Sequence, residues 1–556
     1  LQPYFSVVAK NANREQKGEF LAVVKGTLRR LADQGIDKRS LLAGLNYYEF
    51  RYREADYGSA PKGLMYGLWS MDSWLYGGDP MLHLEYQKTF DFLKKAAGEG
   101  YFEQLILKYL LDNPHEAVIM VSPRVNQTAE EDRKLAERLA AHKASLDREE
   151  IEGLVARTKA LKAYQEETSS QEDLEKIPML KREDINREGT KLSYELKMED
   201  GVRVIHSSMF TSGIGYLKVL FDTDRVPVED LSYVGLLKSV LGYVDTEHYG
   251  YSDLSSEIYL NSGGVSFAVS SFPDMANPGR FTGAFVASAK VLYEKLDFAF
   301  SILTEILTRS NLDNEKRLGE ILDETRSRAR MKMEDSSHAA AVGRASSYYS
   351  ATSAFNDIIG GIGYYQFIEK LEKDFEQRKE ETVEELCKLM KKILRPENFM
   401  ISYTGERESL ETVQKLAGAV KAGLGTEPVE KSKEKLTCTK KNEGFKTSGQ
   451  VQYVAQTGNF KKKGLEYTGA LEILKVILSY DYLWMNLRVK GGAYGCMSGF
   501  KRNGESYLVS YRDPHLKRTL DVYKGIPDYI RNFQADEREM TKYIIGTISG
   551  KDVPRT

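Results

Sequence analysis

The sequence predicts an α+β fold built from several domains. Strand-like runs stand beside amphipathic helices in three separate regions, and one of them, at 214–221, alternates apolar and other residues. Between the first two of these regions, residues 128–184 are dense in Glu, Lys, Arg and Ala with sparse apolar positions. The chain has 556 residues, which at about 150 residues per domain corresponds to roughly three or four domains.

Taken in order, Tyr4-Phe5-Ser6-Val7-Val8 reads as an apolar strand. Residues 17–31 read as a helix with Phe20, Val23, Val24, Leu28 and Leu31 on one side, and Asp37 and Ser40 offer caps to a second helix through Leu41, Leu45 and Phe50. An aromatic block follows at 69–76, then a helix at 101–111 and an apolar run, Val118-Ile119-Met120-Val121, that suits a buried strand. In 128–184, Leu135, Leu139, Leu146, Ile151, Leu154 and Leu161 fall at helical spacing and predict long exposed helices, a hairpin linking two halves; a disordered linker is the alternative. The third region predicts strands at 192–196, 202–206 and 214–221, a helix at 228–241, a strand entered through Gly263-Gly264, and helices at 292–310, 314–333 and 364–394. The fourth predicts a strand at 450–456, a helix over 468–490, a strand at 505–511 behind the Asn503-Gly504 turn, and a helix at 516–533. Both ends of the chain read as cut.

A formal net charge of −2 argues against a nucleic-acid or acidic-membrane partner. No apolar run approaches a membrane span. Cys387, Cys438 and Cys496 lie far apart and make neither a disulfide framework nor a thiolate zinc site, so a reducing compartment is expected. None of the seven histidines stands in a His-Glu-x-x-His or inverted pair; beside Glu247-His248 the position for a partner histidine holds Val244. The lysines of 458–464 lack the Lys-Ser/Thr end of a phosphate loop, Gly360-Gly361-Ile362-Gly363 reads as a helix break, and no Gly-x-Ser-x-Gly elbow occurs.

One cluster remains: Arg488-Val489-Lys490-Gly491-Gly492-Ala493-Tyr494-Gly495. A helix is expected to end with Gly491 in a left-handed cap and Gly492 as a further flexible step before a strand from Ala493. That turn can aim Arg488 and Tyr494 at one space. The arginine offers planar donors to a carbonyl or carboxylate, and the tyrosine hydroxyl can donate to a developing oxyanion. The same residues would equally serve as a plain turn with a surface arginine and a core tyrosine.

This cluster resembles the C-terminal motif of insulinase-like (pitrilysin) zinc metallopeptidases, in the presequence-protease and falcilysin branch. Glu49-Phe50-Arg51-Tyr52-Arg53-Glu54-Ala55-Asp56-Tyr57-Gly58, Pro61-Lys62-Gly63-Leu64, Trp74-Leu75-Tyr76-Gly77-Gly78-Asp79-Pro80 and Asp112-Asn113-Pro114-His115 extend the likeness over essentially the whole chain. The resemblance implies pitrilysin-type domains, each an antiparallel-rich sheet packed with helices, joined by a helical hairpin. It implies the end of a second domain at 1–125, the hairpin at 126–188, a catalytically silent third domain at 189–428 and an early-ending fourth domain at 429–556. It places the zinc and its inverted motif on an absent N-terminal half of the same polypeptide. There the zinc would activate water, with the motif glutamate as base. The matching helix here reads Val234-Gly235-Leu236-Leu237-Lys238, with the metal ligands replaced.

Arg488 and Tyr494 would then bind the substrate backbone and support the tetrahedral intermediate, with Gly491 and Gly492 setting their geometry. The implied function is the substrate-enclosing half of an oligopeptidase that degrades unfolded peptides, inactive alone, in a bacterial cytoplasm or else a mitochondrial matrix or plastid. Two alternatives are a non-catalytic peptide-binding or scaffold subunit and a helical interaction module centred on 128–184.

Overall fold

A computed structural model describes residues 4–551 except 11, 168, 187, 190, 192, 200, 278, 433, 435 and 448. Leu192, the start of one expected strand, and the terminal 552–556 therefore lie outside the described residues. The chain divides into two compact units, Leu1–Ile36 with Gly98–Asp184, and Asp37–Ala97 with Ile185–Thr556.

The first unit is helical among its described residues. Helix Lys17–Gln34 ends at Gly35, whose φ of +87° few other residues tolerate and whose N–H reaches the Leu31 carbonyl at 3.1 Å. Its exit is fixed by Glu103, which accepts from the Ile36 N–H at 2.9 Å. Helices Gln127–Ser145 and Arg148–Glu166 meet at Asp147. Asp147 caps the second by accepting from the Glu150 N–H at 2.8 Å while Glu150 accepts in return at 2.9 Å. The expected strands at 4–8 and 118–121 are not formed. A strand needs a partner edge for its N–H and C=O groups, and every described strand belongs to the second unit.

The second unit is α+β. Its larger sheet comprises β1 (Glu195–Glu199), β2 (Val202–Ser208), β3 (Ile214–Asp222), β4 (Gly264–Pro273), β5 (Phe281–Leu292) and β6 (Phe399–Gly405), in the order β1-β2-β6-β3-β5-β4. All pairings are antiparallel except β2 with β6. The core gathers Val219 and Phe221 of β3, Phe285 of β5 and Tyr403 of β6 with apolar faces of helices Leu231–Val240, Leu296–Arg309 and Phe375–Ile393. The expected single helix at 364–394 is broken into Ile362–Lys373 and Phe375–Ile393 at Asp374. Helix Lys38–Glu54 belongs to this unit. Phe50 lies so close to Gly263 that a Cβ there would stand 2.0 Å from its ring, and buried Glu54 pairs with Lys290 at 2.7 Å.

The smaller sheet is β7-β9-β8, from β7 (Ala455–Asn459), β8 (Gly495–Phe500) and β9 (Glu505–Tyr511). β7 starts later than the expected 450–456, at the register that pairs Ala455 with Val509. Its own core joins Leu478, Leu483 and Leu487 to Tyr523 and Ile526 of helix Lys517–Arg531. Glu505 at the head of β9 ties the two sheets' layers. It accepts from the hydroxyls of Ser350 and Ser353, the latter at 2.9 Å, and pairs with Lys501 at 3.0 Å.

Candidate functional site

Helix Ala470–Ile477 continues as a π-helical stretch, Leu478–Val489. Wider turns of this kind displace side chains from ordinary helical spacing. The stretch closes with Lys490 N–H on the Met485 carbonyl at 2.9 Å, after which Gly492 N–H reaches Arg488 O and Ala493 N–H reaches Leu487 O, both at 2.9 Å. The left-handed residue is Gly492, at φ +78°, rather than Gly491 as expected from the sequence. Gly491 is demanded by space: a Cβ would stand 2.4 Å from the Leu487 carbonyl oxygen and 2.8 Å from that of Asn486. The strand also begins at Gly495 instead of Ala493, leaving Tyr494 on the connection.

The turn brings the two predicted side chains together. Arg488 donates from Nη1 to the Tyr494 carbonyl oxygen at 2.7 Å, and its guanidinium lies 5.2 Å from the centre of the Tyr494 ring. Tyr494 is 62% exposed, so it is no core tyrosine. Its hydroxyl makes no hydrogen bond among the described residues.

Two further members carry no motif of their own. The Trp484 ring centre lies 4.1 Å from the Arg488 guanidinium. Arg512, just past the end of β9, lies 5.8 Å from the Tyr494 ring centre. The four alternate as indole, guanidinium, phenol, guanidinium, a series of cation–π contacts that fixes the phenol ring while leaving its hydroxyl in solvent. Arg512 holds a φ of +49°, a conformation that costs about 1 to 2 kcal/mol of strain. Its neighbour Asp513 anchors it, accepting from Thr519 Oγ1 at 2.6 Å and from His515 N–H at 2.8 Å. The spacing of Trp484 and Arg488 was a readable signal; the return of Arg512 depends on the β8–β9 pairing.

Helix Leu231–Val240, expected to be the silent counterpart of a zinc-binding helix, buries Val234, Gly235, Leu236 and Leu237. No group of three or more His, Cys, Asp or Glu residues able to hold a metal ion exists among the described residues. No described helix is long and apolar enough to cross a membrane.

Comparison with known proteins agrees with this architecture. The family described as associated with peptidase M16, subfamily C, matches residues 121–371, and the "PreP C-terminal domain" matches residues 442–556. "Protein HypA" of Clostridium perfringens is 41% identical over 553 residues, covering 100% of this chain and 57% of that protein. The chloroplastic/mitochondrial presequence protease 1 of Arabidopsis thaliana is 29% identical over 563 residues, 99% of this chain and 52% of its own length. The mitochondrial presequence protease of Xenopus laevis is 22% identical over 589 residues, 100% of this chain and 56% of its own. The chain thus spans about half the length of the curated relatives it matches. The chain belongs to the peptidase M16 family. Within that family it belongs to the presequence-protease branch, whose C-terminal half it represents.

Proposed function

We propose that this chain is the substrate-enclosing half of a zinc-dependent oligopeptidase that degrades unstructured peptides in a closed chamber. Its direct chemical contribution is Arg488 and Tyr494. The observation that carries the reading is an exposed tyrosine hydroxyl, free among the described residues, on a ring held by two guanidinium groups. Such a donor is arranged before substrate arrives, so it stabilises a developing oxyanion without reorganising. Arg488 spends one N–H on Tyr494 O; its other donors can take a substrate carbonyl or terminal carboxylate.

The described residues do not provide a zinc site; the metal belongs in this proposal to an upstream half of the same polypeptide. Residues 189–428 then form a catalytically silent domain, 429–556 the domain that bears the pair, 126–188 the linker and 1–125 the end of a preceding domain. A bacterial cytoplasm, a mitochondrial matrix or a plastid would suit it.

The test is cleavage of a fluorogenic unstructured peptide by this chain alone and after mixing with the upstream half and zinc. Silence alone with activity on mixing is expected. Metal-dependent cleavage by this chain alone would overturn the split arrangement. Silence of a verified complex would favour a non-catalytic peptide-binding subunit.

A further inference from the structure

A cavity of about 940 Å³ opens in the second unit between helices Leu231–Val240, Tyr251–Asn261 and Glu315–Asp335 and the edge strand β4. It lies at the large end of the roughly 300–1,000 Å³ typical of small-ligand sites. Tyr243, Tyr251, Tyr259 and Phe267 supply aromatic wall, and serine hydroxyls fill much of the rest.

Its charges are unevenly satisfied. Arg317 pairs with Glu320 at 2.9 Å, Arg344 with Asp357 at 2.6 Å, Lys501 with Glu505 at 3.0 Å, and Arg328 with Glu324. Lys238 and Lys332 have no carboxylate partner among the described residues. Lys238 Nζ donates to the Ile359 carbonyl oxygen at 2.8 Å and lies 5.2 Å from the centre of the buried Tyr364 ring. Burial, and then the charge of Lys332, push its amine down to about 8, which still leaves it mostly protonated at neutral pH. Two ammonium groups that repel each other across one cavity are relieved by an anion between them.

We propose that this cavity binds the terminal carboxylate of a short peptide between Lys238 and Lys332, with the aromatic wall contacting the peptide's side chains. A monoanion suits the place better than a phosphate. The arginines that would grip phosphate in bidentate fashion are already engaged. The helix end beside Lys238 is a C-terminus, whose carbonyls repel additional negative charge. A peptide also uses both the hydroxyls and the aromatic rings, which a bare anion leaves idle. The site rests on the peptide-degrading reading above and adds where a cleaved or docking end is held, in a cavity that neither Arg488 nor Tyr494 lines.

The experiment is calorimetric titration of this chain with N-acetyl-phenylalanyl-alanyl-leucine, with its carboxamide, and with sodium phosphate. The free acid is expected to bind one to one and the carboxamide at least tenfold more weakly. Lys332 is exposed, so Lys332→Ala should fold normally, weaken the acid about tenfold and leave the carboxamide unchanged; Lys238→Met should do the same if its circular dichroism is native. Equal binding of acid and carboxamide, no binding of the acid, an unaltered Lys332→Ala variant, or phosphate binding tighter than the acid would each overturn the proposal. Because binding is read without turnover, binding with no cleavage in the assembled enzyme sinks only the peptidase reading, and cleavage without binding here sinks only this site.

Discussion

Tyr494 and Arg488 divide the work at the scale of single residues. The arginine's hydrogen bond goes to the tyrosine's carbonyl oxygen, not to its hydroxyl, so the phenol is oriented through its backbone and its ring while its O–H stays available. Replacing Tyr494 by Phe keeps the ring contacts with Arg488 and Arg512 and removes only the donor. In the complete enzyme, Tyr494→Phe is therefore expected to lower kcat/KM by about 100- to 1,000-fold, the size seen when one oxyanion donor is removed. Steady-state kinetics on an unstructured peptide decide it, and near-normal kcat/KM would remove Tyr494 from the chemistry. The pair was legible in the sequence because arginine and tyrosine flank two glycines. Trp484, four residues before Arg488, was spaced to be read although no motif marks it; Arg512 was not legible, since strand pairing brings it to the ring.

Among elements, the junction between helix Ala351–Gly360 and β9 hangs on Glu505. Burial alone would raise its carboxyl pKa. The hydrogen bond from Ser350, the charge and hydrogen bond of Lys501, and the hydrogen bond from Ser353 outweigh burial and hold it below the usual carboxylate range. A lowered folded-state pKa contributes stability that is present above the unfolded value, about 4.3 for a glutamate, and is lost as pH falls through the folded value. Glu505→Ala strands two serine hydroxyls and should destabilise by about 1 to 3 kcal/mol at pH 7. The variant should also lose less stability than wild type as pH falls from about 5 to the folded-state pKa. Urea midpoints at neutral and acid pH measure both, and parallel acid losses in the two proteins would show that Glu505 titrates normally. β9 itself was read from sequence to the residue, 505–511, because the Asn503-Gly504 hairpin turn marks its start, and Gly504 indeed takes φ +90°. The neighbouring strand was misread by several residues, for β7 takes its bounds from the partner β9 and not from its own pattern.

For the whole molecule, the α+β class and most helices follow from local periodicity, but two apolar runs show where local pattern stops being sufficient. Val118-Ile119-Met120-Val121 has strand composition, yet Ile119 is 85% and Val121 90% exposed and neither lies in a strand. Tyr4 and Val8, 89% and 72% exposed, repeat the situation at the start of the first unit. Composition gives a segment the capacity for a strand; only an edge to pair with makes it one. The proposed upstream half is the natural source of that edge, since the relatives are about twice as long as this chain. If so, Ile119→Asp with Val121→Asp should leave this chain folded, as both side chains are in solvent, and reduce its self-association, as exposed apolar strand-formers promote aggregation. The same double variant should weaken assembly with the upstream half at least tenfold, because burying two unpaired carboxylates is strongly unfavourable. Size-exclusion and calorimetric titration of the two halves read the second effect. In hydrogen exchange, the amides of 118–121 should be unprotected in this chain alone and protected in the assembled enzyme. Assembly indifferent to the two charges, with those amides still exchanging freely, would mean that the run stays solvent-facing in the complete protein and that the halves meet elsewhere.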